Sequence, residues 1–120
     1  MTERRGRVRL VGRVGVGAAA LLLATCTLSG CGQSADALGH QACVDVHKSL
    51  ALYARSQRTE DQARAASERA QALNLLRVAL RPAALAGSSS GDWQALMTTL
   101  SESNRVPEQK LIPALTAQCS

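Results

Sequence analysis

The 120-residue chain has very few aromatic residues: it contains one tryptophan (Trp93), one tyrosine (Tyr53) and no phenylalanine. Two aromatic rings provide little with which to stack the bases of single-stranded nucleic acid. The chain also lacks stretches in which valine, isoleucine or aromatic residues alternate with polar ones, which are typical of β-strands. These absences argue against a β-sheet and weaken a nucleic-acid-binding interpretation.

Sequence motifs of common enzymes are missing as well. No serine stands in a nucleophile elbow, and the serines of the loop at 87–91 have no histidine near them in sequence. That loop also lacks the lysine that follows a phosphate-binding glycine loop. The charged residues of the second helical stretch predict a solvated face with i to i+4 ion pairs, such as Glu60 with Arg64. These charged residues are Glu60, Asp61, Arg64, Glu68 and Arg69. We therefore expect no enzyme activity and no cofactor.

The first 30 residues have the organisation of a secretory signal. Five arginines between positions 4 and 13 precede a charge-free run over 14–30, which ends in small residues. A transmembrane helix needs about 20 apolar residues, whereas this run is shorter and is diluted by glycine, threonine and serine. The pattern predicts that residues 1–30 are a signal peptide.

The run closes with Leu28-Ser29-Gly30-Cys31, which resembles the lipobox of bacterial lipoprotein precursors. In that family the cysteine thiol receives a diacylglyceryl group, and cleavage just before the cysteine makes it the first residue of the mature protein. The resemblance implies lipidation at Cys31 and a lipid anchor on the extracytoplasmic face of the cell membrane. Leu23-Ala24-Thr25-Cys26 is a rival site, but a threonine beside the cysteine fits the family pattern less well.

Removal of the signal would change the charge of the protein. The whole chain has 14 basic and 9 acidic residues, and five of the basic residues and one acidic residue lie in the signal, which leaves nine against eight. Binding of nucleic acid needs a basic patch on the working domain, so we expect no nucleic-acid partner. The remaining 90 residues are enough for one small domain with a thin core.

We expect this part of the chain to consist of a tether and a helical domain. Residues 31–40 combine Cys31 with a segment rich in glycine and polar residues, which predicts a flexible tether that spans about 16 Å. From residue 41 to residue 120 the apolar spacing is helical. The fold class predicted for 41–120 is therefore all-α, a small bundle of three to four helices.

Four apolar stripes define the expected helices. The first is Cys43, Val46, Leu50 and Tyr53. The second begins at an N-cap at Thr59, ends or kinks near Arg81 because of Pro82, and comprises Ala63, Ala66, Ala70, Leu73, Leu76 and Leu80. After the loop at 87–91, Asp92 is expected to cap a third helix with Trp93, Leu96, Met97 and Leu100, its Trp93 buried against Tyr53 or Leu50. A fourth start at Pro107-Glu108 leads to Leu111, Ile112, Leu115 and Cys119.

Two cysteines remain in the helical region. In an exported domain of this size, Cys43 and Cys119 most simply form a disulfide that joins the first helix to the last. An alternative is a zinc or copper site, because His40, Cys43 and His47 stand at i, i+3 and i+7 of an early helix. That alternative leaves Cys119 unpaired in an oxidising compartment, so no metal is expected.

Two classes of function stay open from the sequence. The first is a lipid-anchored protein-interaction or cell-envelope module, for which an exposed apolar patch on a helical surface would be evidence. The second is a small-ligand or metal-binding lipoprotein with a pocket between helices. The small size of the domain favours the first class.

Overall fold

The computed structural model describes residues 32–120, which contain four α-helices, two short 3₁₀-helices and no β-strand. The α-helices are α1 (Ala35–Ser56), α2 (Gln62–Ser89), α3 (Gln94–Ser101) and α4 (Glu108–Gln118). The 3₁₀-helices are Gly91–Trp93 before α3 and Glu102–Asn104 after it. The predicted all-α bundle is therefore confirmed, while the predicted signal peptide (residues 1–30), Cys26 and Cys31 lie outside the described residues.

Helix α1 begins earlier than the sequence predicts. The Ser34 hydroxyl caps it by accepting a hydrogen bond from the Ala37 backbone N–H at 3.1 Å, and Asp36 in the first turn complements the helix dipole. The expected tether at 31–40 is thus wrong for residues 35–40, which are helical. The reason lies in tertiary packing: Gly39, a poor helix former, is buried in this turn beneath Trp93.

The N-terminus of α2 is capped by Asp61 and not, as the sequence predicts, by Thr59. The Asp61 carboxylate accepts from the Arg64 backbone N–H at 2.7 Å. The Thr59 hydroxyl instead donates to Glu68 Oε2 at 2.8 Å and lies 3.1 Å from the carbonyl oxygen of Arg55. Thr59 therefore ties the end of α1 to the second turn of α2.

Helix α2 continues beyond the position where the sequence predicts its end. It continues through Pro82 to Ser89, so the helix does not end near Arg81. Of the loop expected at 87–91, only the last two residues lie outside α2. On the far side of the proline, Ala83 and Ala86 are fully buried. Burial of this second half against the rest of the bundle offsets the hydrogen bond that proline cannot donate.

The buried face of α2 differs from the expected alanine stripe. Ala63, Ala66 and Ala70 are exposed, and only Leu76 of the predicted stripe is fully buried. Four of the five buried alanines of α2 recur every seven residues instead, and α1 carries a matching seven-residue series of small buried side chains. These series are Ala65, Ala72, Ala79 and Ala86 on α2, and Ala42, Ser49 and Ser56 on α1. Small side chains in register allow two helices to pack closely.

Helices α3 and α4 supply the large side chains of the core. Leu96, Leu100 and Leu115 are essentially inaccessible and pack in one cluster with Val46 and Leu76. The stripes expected for α3 and α4 are confirmed, with Trp93 and Met97 partly buried at the edge of the cluster. The first residue of α4, Glu108, lies beside Ser49, and Cys119 lies beside Cys43, so α4 runs antiparallel to α1.

Candidate functional site

The disulfide between Cys43 and Cys119 joins the first and last helical segments. Its two Cα atoms are 5.3 Å apart and its partners are 76 residues apart in sequence. Both cysteines are 7% exposed and belong to the core cluster. The predicted pairing is confirmed, and so is the prediction that the first and last helices are neighbours.

A hollow of about 340 Å³ opens over this disulfide. Because α4 ends beside the third turn of α1, residues from three parts of the chain meet there. They are His40, Cys43, Val44, His47, Trp93, Gln118, Cys119 and Ser120. We call this the disulfide hollow. Two imidazoles and one indole come together there.

Trp93 forms one wall of the disulfide hollow. Its indole lies against Gly39, where a Cβ atom would overlap the ring, and meets the His40 imidazole edge to face with ring centroids 5.4 Å apart. The indole Nε1–H donates to Asp36 Oδ1 at 3.1 Å. The prediction that Trp93 packs against Tyr53 or Leu50 is therefore wrong in its partner: the tryptophan covers the first turns of α1 and is only partly buried.

His47 also lines the hollow, and the backbone of the last turn of the chain holds its ring in place. Its Nε2 lies 2.8 Å from the carbonyl oxygen of Cys119. Since a carbonyl oxygen can only accept, Nε2 must carry the proton, and Nδ1 of a neutral ring then keeps its lone pair. The imidazole therefore reinforces the junction that the disulfide makes covalently.

The metal site considered from the sequence is not assembled. Cys43 is bonded to Cys119, so its sulfur is no thiolate ligand, and His40 and His47 remain as the two nitrogen donors of the hollow. Within residues 32–120 no group of three His, Cys, Asp or Glu side chains is placed to hold a metal ion.

A second feature is an apolar surface on the α1–α2 pair, which includes Leu52 of α1 and Leu75 of α2. Both leucines are half-buried and line shallow hollows of about 500 Å³ and 330 Å³. Along the same flank of α2, Val78 and Leu85 are 52% and 51% exposed. Leu75, Val78, Pro82 and Leu85 follow at three- and four-residue spacing, so they share one side of the helix. We call Leu52, Leu75, Val78, Pro82 and Leu85 the hairpin face.

Two glutamates that the sequence does not single out as buried are enclosed at the other end of the bundle. Glu68 is 5% exposed, accepts from Thr59, and pairs with Arg55 at 3.1 Å and with Arg64 at 3.9 Å. The prediction that Glu68 lies on a solvated face is wrong, and Arg64 pairs with Glu68 instead of with Glu60. Glu108 is 8% exposed, and burial raises its pKa against the opposing effect of its hydrogen-bond contact with Ser49.

Comparison with known proteins does not extend this description. The chain matches no protein-family model, no curated protein and no solved structure. In the part of the chain that the structure covers, no helix combines the length and the apolar character needed to cross a bilayer.

Proposed function

We propose that this chain is a lipid-anchored protein of the extracytoplasmic face of the cell membrane, whose helical domain is a protein-interaction module of the cell envelope. The anchor is proposed at Cys31, from the resemblance of Leu28-Ser29-Gly30-Cys31 to a lipobox. The disulfide supports export, because structural disulfides persist in oxidising compartments and are rare in the cytosol.

The position of the first helix constrains where such a module would work. Only Gly32, Gln33 and Ser34 separate Cys31 from α1, and three extended residues span about 10 Å. This is shorter than the tether of nine residues that the sequence predicts. A partner would therefore have to be a protein at the membrane surface or one that reaches it.

The hairpin face is the observation that carries the interaction function. Val78 and Leu85 expose about half of their surface on the side of α2 that also carries Leu75, which lines both hollows, whereas α3 and α4 supply most of their large apolar residues to the core. Exposed apolar patches on a small domain mark interaction sites for proteins or membranes, or ligand-binding grooves. The nearby cations Lys48 and Arg55 line the edge of one hollow and are exposed.

Site-specific photo-crosslinking in native membranes tests this function. A photoreactive amino acid at Val78 is expected to capture a discrete partner band, and the same residue at Gln109, an exposed position on α4, should not. Both variants must first show the wild-type helical spectrum. Equal, diffuse labelling from both positions would contradict an interaction through the hairpin face.

The disulfide hollow favours a second candidate function, the binding of a small ligand. It brings two imidazoles and one indole to a single recess of about 340 Å³, which is within the size range of small-molecule sites. Titration with Zn²⁺, Cu²⁺ and a small set of aromatic carboxylates, followed by the ring resonances of His47 and Trp93, tests it. Saturable shifts that disappear in His40→Ala would support the binding function, and unchanged resonances at millimolar concentrations would exclude these ligand classes.

A further inference from the structure

The Ser49 hydroxyl lies between two hydrogen-bond acceptors, the Ala72 carbonyl oxygen and the Glu108 carboxyl, but has only one proton to donate. The Ser49 Oγ atom lies 2.7 Å from the Ala72 carbonyl oxygen and 2.7 Å from Glu108 Oε1. A serine hydroxyl carries one proton, and a carbonyl oxygen and an ionised carboxylate are acceptors only. If Glu108 were ionised, one of these two contacts would place two oxygen lone pairs against each other.

Sharing of the serine proton between both acceptors does not account for these distances. A length of 2.7 Å is that of a direct, nearly linear O–H···O bond, and one O–H cannot point at two oxygens. The Thr59 hydroxyl of the same molecule provides a contrast: it also lies near two acceptors, but at the unequal distances of 2.8 and 3.1 Å. A second proton, on the Glu108 carboxyl, would satisfy both short contacts of Ser49.

We propose that Glu108 is a proton-dependent latch for α4: its protonated carboxyl donates to Ser49 and holds the first turn of α4 against α1 and α2, and its ionised form releases that turn. In the closed state the protons form a chain, from the Glu108 carboxyl to Ser49 Oγ and from Ser49 Oγ to the carbonyl of Ala72. Every polar oxygen in the contact is then paired.

The surroundings of Glu108 are consistent with a neutral carboxyl. The titratable and charged residues within about one turn on the packed elements are Asp45, His47, Lys48 and Tyr53 on α1, Glu68 and Arg69 on α2, and Glu102, Arg105 and Lys110 beside α4. Asp45 pairs with Lys48, and Glu68 pairs with arginines. Among residues 32–120, no Lys, Arg or His nitrogen lies within 4.0 Å of a Glu108 carboxyl oxygen.

The ionised form has a favourable place outside the contact. Glu108 is the first residue of α4, and a carboxylate at a helix N-terminus is stabilised by the unpaired N–H groups there. An ionised Glu108 that turns outward keeps this interaction and regains water. The latch therefore has two arrangements of the same side chain, between which protonation selects.

The sign of the pH dependence follows from the direction of the pKa shift. Burial raises the pKa of Glu108 above its ordinary value of 4.5, so the folded protein holds a proton that the unfolded chain has released. The stabilisation is fully present below the unfolded pKa and is lost as pH rises through the folded pKa. The bundle should therefore hold α4 most firmly in mildly acidic solution.

The test is a carboxyl ¹³C NMR titration of the full chain in detergent micelles, together with thermal melts at about pH 5 and pH 8. We expect the Glu108 carboxyl to titrate above 4.5 and the melting temperature of the wild type to fall at the higher pH. In Glu108→Gln, whose amide donates permanently to Ser49, we expect this fall to be reduced or absent.

Glu60→Gln is the control, because it removes one acidic charge at an exposed position and should keep the wild-type pH profile. A Glu108 carboxyl that titrates at 4.5 or below would overturn the latch, and this measurement needs no variant to fold. An identical pH profile for the wild type and Glu108→Gln would overturn it as well.

Discussion

Gly39 and Trp93 form one contact in which the absence of a side chain on one residue makes room for the ring of the other. The indole rests on the backbone of α1, and from that position its N–H reaches Asp36. One wall of the disulfide hollow therefore depends on a residue that contributes no side-chain atoms.

Gly39→Ala is expected to displace the indole and to destabilise the domain, although alanine is the better helix former. Overpacking of a filled contact costs about 1–3 kcal/mol, more than the roughly 1 kcal/mol that alanine gains in a helix. Urea unfolding and the Trp93 fluorescence maximum measure the two effects. Gly91→Ala is the matched control, since a Cβ atom there meets no atom within 4 Å. Equal stability of both variants would contradict the contact.

The proposed anchor predicts opposite behaviour for two cysteine variants. Cys31→Ser should abolish incorporation of radiolabelled palmitate and leave the precursor uncut, because the thiol that would carry the lipid is missing. Cys26→Ser should be labelled and processed as the wild type. If Cys31→Ser still takes up label and Cys26→Ser does not, the lipid is attached at Cys26.

The disulfide should contribute a large part of the stability of so small a domain. Closure of a loop of this length is worth at most about 4.5 kcal/mol on the chain-entropy model. Cys43 and Cys119 of the native protein should not react with maleimide until the protein is reduced, and the double variant Cys43→Ser, Cys119→Ser should melt at a markedly lower temperature. Immediate labelling of both cysteines without reductant would show that the bond is absent in solution.

Pro82→Ala should stabilise α2, because the new backbone N–H can donate within the helix and the clash of the ring with the preceding turn disappears. A proline inside a helix costs about 3 kcal/mol relative to alanine, which sets an upper limit on the gain. Chemical unfolding gives the difference in free energy. A loss of stability would mean that packing of the half-buried ring outweighs its effect on the helix.

Large apolar side chains made much of the fold predictable. The spacing of Leu96 and Leu100, and of Leu111 and Leu115, identifies the buried side of each helix, because the other sides carry no comparable series of large apolar residues. For α2 the same method fails, since alanines occur on several faces and a methyl group gains little by burial on any of them. The useful signal is the seven-residue series of Ala65, Ala72 and Ala79, which becomes meaningful only beside its counterpart on α1.

The candidate sites were less accessible to sequence reasoning because they join distant residues. The histidines of the disulfide hollow and the cysteine pair stand out by residue type. The contact of Trp93 with Asp36 spans 57 residues and that of Ser49 with Glu108 spans 59, and local periodicity carries no information about either. Glu68 and Pro82 were misplaced for a related reason: tertiary contacts outweigh the usual preference of glutamate for solvent and of proline for helix ends.

The position of the Cys43–Cys119 bond also determines how the domain bears mechanical load. A pulling force that enters at Ser34 and leaves at Ser120 follows the covalent path through the disulfide. The segment between the two cysteines, which includes all of α2 and α3, lies outside that path and carries no tension. Such a force could unravel only the first turns of α1, so the hairpin face and the leucine core would keep their structure while the protein is held under strain.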